Sequence, residues 1–421
     1  MSLGQFDTLR HFSSRPIAAS VLAVFMFTSF SGSSLGDDWP RFRGASGDGT
    51  IADFEPPTKW PTELKSLWRE EVGLGYASPV VVGDRVFVLT SSDKQEIVRC
   101  VSLATGNEVW AQRYAADPKL SSIVGRYGNP PRATPAVADG RLFTLGAGGR
   151  LSAFDAAGGD LLWQETFEDK FPTQHPEFGA ASSPLVIDNT CIALVGGKDS
   201  GALGAFDVKT GDIRWQLKCE GPSYASPMLL KLGGESQIVV QTQSNIIGVS
   251  LTGTKLWSIP FESQYQQNIV TAVAHGDLVI FSGYKQPLQA WRIAGGEPTR
   301  VWENPDHSIY MSSPLLKGNR LFGMSSLKAG HVFCVDAQSG STVWTGPGRS
   351  GENVSVQIAD QLLVLLNDKG RLAFADANSD TYSEVVEYSL AEDGAFAHPV
   401  FAAGRVLIKD DQHLACFELP Q

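Results

Sequence analysis

Two stretches of this 421-residue chain concentrate side chains that could grip a ligand: Arg126-Tyr127-Gly128-Asn129-Pro130-Pro131-Arg132 and Gln174-His175-Pro176-Glu177-Phe178. A guanidinium can hold both oxygens of a carboxylate at once. Arg126 and Arg132 beside Asn129 therefore suit a small anionic or carboxylate-bearing ligand, with His175 and Glu177 facing them and Tyr76, Tyr224 and Tyr310 as stacking rings. Arg132 has a second reading of equal weight, a buried strut paired to Glu177. Patterns for other chemistry are missing. The seven His form no His-x3-His pair for a metal, Ser182-Ser183-Pro184 lacks the glycines of a nucleophile elbow, and no Cys-x-x-Cys-His could attach a haem. A net charge of −11 with no basic run argues against a nucleic-acid partner.

The elements that must hold these residues repeat. Residues 313–344 run Ser-Pro-Leu-Leu-Lys-Gly-Asn-Arg-Leu-Phe-Gly-Met and close as His-Val-Phe-Cys-Val-Asp-Ala-Gln-Ser-Gly-Ser-Thr-Val-Trp. Short β-rich runs separated by Gly-Asn and Ser-Gly predict a small antiparallel meander. Other copies begin at Ser78-Pro79, Thr134-Pro135, Ser183-Pro184 and Ser226-Pro227. The closing aromatics Trp110, Trp163, Trp215, Trp257, Trp302, Trp344 and Tyr388 lie 53, 52, 42, 45, 42 and 44 residues apart, the period of a propeller blade. A last copy starts at His398-Pro399 and stops at Leu419 before any Trp, while Trp68 sits in an orphan strand near the other end. Pairing the two predicts an all-β fold, an eight-bladed β-propeller of four-stranded blades over residues 65–421, its ring closed by the N-terminal strand on the C-terminal blade. Closure removes the exposed sheet edges.

Within five copies a Gly (Gly106, Gly159, Gly211, Gly253, Gly340) precedes the Trp by four residues, which suits a hairpin with a positive φ. The indoles are expected as core between blades. Cys100, Cys334 and Cys416 occupy equivalent third-strand places and read as small apolar side chains; whether Cys191 and Cys219 pair is open. The crossings after Trp68, Trp215, Trp302, Trp344 and Tyr388 take 10 or 11 residues, whereas Trp110 to Thr134 takes 24 and Trp163 to Ser183 takes 20. Loops longer than the fold requires are commonly functional, which places the candidate site at the channel mouth beneath these two. His398, standing in the usual Ser position, reads as a hydrogen-bonded turn residue or as a channel-lining base.

The Ser-Pro, Asp-x-x-Thr-Gly and Trp grammar, as in Asp207-Val208-Lys209-Thr210-Gly211-Asp212-Ile213-Arg214-Trp215, resembles the pyrroloquinoline-quinone-like (PQQ-like) repeat with its tryptophan-docking motif. The resemblance covers about residues 39–419. The opening Asp38-Trp39-Pro40-Arg41-Phe42-Arg43-Gly44, with Gly47-Asp48-Gly49 and Arg132-Ala133-Thr134-Pro135, looks like a secreted branch of that family. The resemblance implies either of two roles. One is a non-catalytic binding or scaffold propeller, similar to the scaffold of the bacterial outer-membrane β-barrel assembly machine, with a protein partner. The alternative is a quinoprotein (PQQ-dependent) oxidoreductase with PQQ and calcium in the central channel. Dehydrogenases of the family set the quinone against a disulfide of adjacent cysteines, and no two of the five cysteines here are adjacent. Cofactor identity stays open at this point, and the scaffold role ranks first.

Residues 1–36 read as a signal peptide: Arg10, His11 and Arg15 precede an apolar run over 17–30, and Ser34-Leu35-Gly36 offers small residues for cleavage. An uncleaved anchor is the competing reading, but 14 apolar residues fall short of the roughly 20 that span a bilayer. Export to the periplasm or beyond is expected, as a monomer with no membrane span in the mature chain. Residues 37–64, with Trp39, Trp60 and four Pro, are expected as an extended strap laid across the ring.

Overall fold

A computed structural model describes residues 38–52, 54–122, 124, 129–294, 297–351, 353–392 and 394–420. The leader expected over 1–36 lies outside them, as do Arg126 and Tyr127. Alternating and apolar β-rich runs fold into eight sheets, each built on four antiparallel strands. Seven follow one another along the chain: Val80–Val82 to Glu108–Ala115 (blade 1), Ala136–Ala138 to Leu161–Glu165 (blade 2), Leu185–Ile187 to Ile213–Cys219 (blade 3), Met228–Leu232 to Lys255–Pro260 (blade 4), Val273–His275 to Thr299–Asn304 (blade 5), Leu315–Lys317 to Thr342–Thr345 (blade 6) and Val354–Ala359 to Glu384–Ser389 (blade 7). Blade 8 takes three strands from the C-terminus, Val400–Ala402, Arg405–Lys409 and His413–Glu418, and its outer strand, Ser66–Glu71, from the other end of the chain. The fold is the eight-bladed β-propeller with both termini closing the ring. No α-helix occurs among the described residues, and none of their helices is long and apolar enough to cross a membrane.

The core lies between blades, and the repeat's residue types follow from that. Each closing Trp faces a small residue across the third strand: Cys416 opposite Trp68, Cys100 opposite Trp110, Ala153 opposite Trp163, Ala205 opposite Trp215, Gly248 opposite Trp257, Ala290 opposite Trp302 and Cys334 opposite Trp344. A bulky ring needs a short neighbour to lie flat on its own sheet. Cys100, Cys334 and Cys416 fill that place in three blades, and they are free, as are Cys191 and Cys219.

The glycines serve the neighbouring blade. A Cβ on Gly106 would stand 2.8 Å from the Trp68 ring, on Gly159 2.6 Å from Trp110, on Gly211 2.9 Å from Trp163, on Gly253 2.6 Å from Trp215 and on Gly340 2.5 Å from Trp302. Every one of these glycines also has a positive φ, between 75° and 88°. Each indole thus lies on the hairpin of the next blade, and its Nε1 donates to a carbonyl there: Leu103 from Trp68, Ala156 from Trp110, Val208 from Trp163, Leu251 from Trp215 and Ala337 from Trp302, at 3.0–3.2 Å. Trp257 donates instead to Gln237 Oε1 of its own blade at 2.7 Å. Tyr382 meets Trp344 edge-on at 5.7 Å.

Residues 38–51 run through the middle of the ring. Trp39 exchanges two backbone hydrogen bonds with Val81 of blade 1, at 2.8 and 2.9 Å, and Pro40 O accepts from Val137 N of blade 2. The Arg43 guanidinium donates to Pro314 O beside blade 6 and to Asp48 O of its own segment. Thr50–Ile51 pairs in parallel with Val354–Ala359, the innermost strand of blade 7. Farther on, Phe54 and Trp60 stack on Phe374, with centroids 5.8 and 4.7 Å away.

Candidate functional site

The Ser-Pro signature marks a belt of hydrogen bonds around the channel. The hydroxyl that opens one blade accepts from the backbone N–H at the equivalent residue of the blade before it: Ser183 Oγ from Thr134 N (3.0 Å), Ser226 Oγ from Ser183 N (2.9 Å), Thr271 Oγ1 from Ser226 N (3.4 Å), Ser313 Oγ from Thr271 N (3.0 Å) and Ser78 Oγ from His398 N (2.8 Å). These groups are buried or nearly so, and an unpaired buried N–H costs free energy. A hydroxyl is therefore required at these five junctions.

Two residues before each belt position the chain points into a cavity of about 180 Å³ at the channel mouth. The eight positions, one per blade, are Tyr76, Arg132, Ala181, Tyr224, Ile269, Met311, Asn353 and Phe396. Tyr310, Phe178 and Gln267 add to the wall, and Phe42 of the threaded segment and His398 also line it. Tyr76 meets Phe396 edge-on at 4.9 Å, and Phe178 meets Tyr224 edge-on at 6.0 Å. Tyr224 Oη accepts from Phe178 N at 3.3 Å.

Arg132 Nη1 donates to Phe178 O at 2.8 Å. The guanidinium that ends the first long crossing is thereby fastened to the second, and Ser121 N to Glu177 O at 3.1 Å ties the same two loops. Burial lowers the Arg132 pKa, and the phenols of Tyr224 and Tyr76 act in the opposite direction. The Tyr76 and Tyr224 phenols are themselves pushed up, chiefly by burial, with the charge of Asp411 adding to the rise of Tyr76. They remain protonated donors throughout the physiological range. Burial, then the charge of Arg43, lowers His398 to about 3. A base that weak holds no proton near neutrality and is poorly matched to general base work there. Its ring instead packs edge-on against Phe42 at 5.2 Å.

Of the residues singled out by sequence, Tyr76, Arg132, Tyr224 and Tyr310 line this cavity. Asn129 does not: its neighbours Pro130 and Pro131 stitch the long crossing to blade 1, through Ser91 Oγ to Pro130 O and the backbone N–H groups of Tyr76 and Ala77 to Pro131 O. His175 and Glu177 line a separate cleft of about 830 Å³, shared with Glu96, Tyr114 and Arg150. The second crossing turns Phe178 inward and those two residues away. Phe396, Gln267 and Asn353 are further lining residues that the motifs do not mark, although Phe396 stands two residues before His398 just as Tyr76 stands two before Ser78.

A calcium-bound quinone, implied by part of the fold family, can be tested against this lining. Calcium takes six to eight oxygen ligands, with carboxylates prominent among them. Among the described residues the lining contains no Asp or Glu, and Arg132 is its one formally charged side chain. Nor do the described residues contain a group of three or more His, Cys, Asp or Glu placed for a metal. The donor set does not fit calcium with a quinone.

Fold and site together define a PQQ-like eight-bladed propeller with an aromatic cavity at one channel mouth. A family model described as outer membrane protein assembly factor BamB matches residues 94–346, and the chain belongs to that family. It is similar to the BamB of Shewanella oneidensis, 24% identical over 261 residues, which are 58% of this chain and 64% of that one. Similarity to the Burkholderia pseudomallei BamB is 25% over 384 residues, 85% of this chain and 87% of the relative. A Comamonas testosteroni quinohemoprotein alcohol dehydrogenase is 30% identical over 146 residues, 33% of this chain but 19% of that enzyme. The chain thus spans less than two thirds of the first of these relatives and about a fifth of the dehydrogenase. Among solved structures, Moraxella catarrhalis BamB superposes with a TM-score of 0.62 at 13% identity, over 85% of this chain and all of that one. The Comamonas testosteroni dehydrogenase gives 0.66 at 13%, over 93% and 82%. Likeness at that identity carries the fold alone.

Proposed function

We propose that the protein is an exported, non-catalytic binding propeller that acts as a scaffold in the periplasm or outside the cell, taking a carboxylate-bearing group of a protein partner or small anionic ligand at the mouth cavity. The observation that carries this reading is the composition of the wall: among the described residues, aromatic rings and phenol donors surround a single guanidinium, with no carboxylate and no usable base near neutral pH. Such a site can orient and hold, since a guanidinium can grip both oxygens of a carboxylate at once. It lacks the pair of titrating groups that acid–base chemistry needs. Relatives named as outer-membrane assembly factors support the scaffold role, and the leader pattern over 1–36 supports export.

The test is calorimetric titration with phenylacetate and with its uncharged amide. Phenylacetate is expected to bind and phenylacetamide to bind at least tenfold more weakly, from loss of a charge-assisted contact. Equal affinities, or no binding of either, would overturn the assignment of Arg132 as the anchor.

A further inference from the structure

One wall of the cavity continues outward as a ladder of tyrosines. Tyr310 lines the cavity, its hydroxyl donating to Gln267 Oε1 at 2.7 Å. Its ring lies 4.3 Å from that of Tyr284 at an interplanar angle of 34°, and Tyr284 lies 6.4 Å from Tyr265 at 26°. Tyr265 is 72% exposed. The Lys285 ammonium stands 5.4 Å from the centre of the Tyr284 ring.

The backbone adopts unfavourable geometry to build this ledge. Tyr265, Gln266 and Lys285 all have positive φ, 64°, 57° and 57°, a region that bulky side chains avoid. Strain of this kind persists where the surroundings over-determine it and gathers at ligand sites. Side-chain amides flank Tyr265 along the chain: Gln266 Oε1 accepts from Gln243 Nε2, which also donates to Asp199 Oδ1, and the buried Gln264 Oε1 has no partner among the described residues.

We propose that the ledge is a binding subsite for an acidic carbohydrate chain, a uronate oligosaccharide whose outer pyranose ring lies on the exposed Tyr265, which the stack of Tyr284 and Tyr310 holds in place, and whose carboxylates meet Lys285 and, at the inner end, Arg132. The inference rests on the mouth cavity being the binding site and names the class of ligand it takes. Aromatic faces present negative potential to the polarised C–H face of a pyranose, and amide side chains offer both donors and acceptors to its hydroxyls. Lys285 and Arg132 add positive charge at the ledge and in the cavity of a chain whose net charge is −11. An extended peptide is less well served. Peptides commonly bind by adding a strand to a free sheet edge, and the strand beside the ledge, Gln286–Arg292, is paired on both sides.

The experiment titrates hexagalacturonate, cellohexaose, hexaglutamate and phenylacetate into the wild-type protein and Tyr265→Ala. Tyr265 is exposed, so its removal spares the core. The expected result is that hexagalacturonate binds, that Tyr265→Ala weakens it about tenfold, and that phenylacetate affinity is unchanged by the substitution. Unchanged hexagalacturonate affinity in Tyr265→Ala would overturn the ledge, as would equal wild-type affinity for cellohexaose or for hexaglutamate. If phenylacetate binds and hexagalacturonate does not, the ledge inference fails while the cavity reading stands. If neither binds, both fall.

Discussion

Gly340 and Gly318 are two glycines of one blade, both with a positive φ, 75° and 58°. A Cβ at Gly318 would meet nothing within 4 Å, whereas at Gly340 it would meet Trp302 at 2.5 Å. Placing alanine at a left-handed position costs roughly 1–2 kcal/mol, offset by about 0.4–1 kcal/mol from the narrower unfolded ensemble. Gly318→Ala should therefore destabilise by about 1 kcal/mol. Gly340→Ala adds overpacking, about 1–3 kcal/mol. The displaced indole would also lose the Trp302 Nε1 bond to Ala337 O, about 1 kcal/mol more. The two variants should differ by about 2–4 kcal/mol. With an unfolding entropy near 2.1 cal/mol/K per residue, a ring of roughly 380 residues melting as one unit shifts by about 1.3 °C per kcal/mol. Scanning calorimetry should thus separate the two melting temperatures by about 3–5 °C. In a Trp302→Ala background the penalty of Gly340→Ala should fall to that of Gly318→Ala, because the clashing ring is gone. Equal shifts for the two glycines in the native background would refute the seating of each indole on its neighbour's hairpin.

Other outcomes follow from the same geometry. Trp215→Ala and Trp344→Ala should each cost about 3–5 kcal/mol in denaturant unfolding, and losses below about 1 kcal/mol at both would place them outside the interblade core. Ser183→Ala should cost about 1–3 kcal/mol by stranding the buried Thr134 N–H, and Ser183→Thr should restore most of it. His398 and His307 are both held below the ordinary histidine value, to about 3 and about 4, chiefly by burial. The unfolded chain then binds more protons than the folded one, so stability is full above about pH 6.5 and declines as pH falls toward 4 and 3. His398→Asn should flatten that decline; an identical pH profile would contradict it.

Much of the ring was legible because the same Trp recurs at a blade's period, and the unfinished last copy called for the strand around Trp68. The partners between copies were not legible. Spacing inside one repeat shows that Gly340 precedes Trp344, yet the ring it supports is Trp302, one blade earlier. The hydroxyl belt hid for the same reason: Ser183 reads as a strand start until Thr134 N is found on it. At the site, Tyr76 and Tyr224 stand at the phase that faces the cavity, and Arg132 shares it. His175 and Glu177 were grouped with them by loop length, which measures how far a crossing extends but not which way each residue turns. Phe178, adjacent in sequence, points inward because Arg132 and Tyr224 hold its backbone.

The central claim, a propeller that binds without turning over a quinone, is most directly tested by incubating the protein with pyrroloquinoline quinone and calcium and passing it through gel filtration. A wall whose described residues include one guanidinium and no carboxylate predicts that the quinone elutes apart from the protein, with or without calcium. Quinone absorbance that travels with the protein only when calcium is present, together with dye-linked alcohol oxidation, would contradict the account.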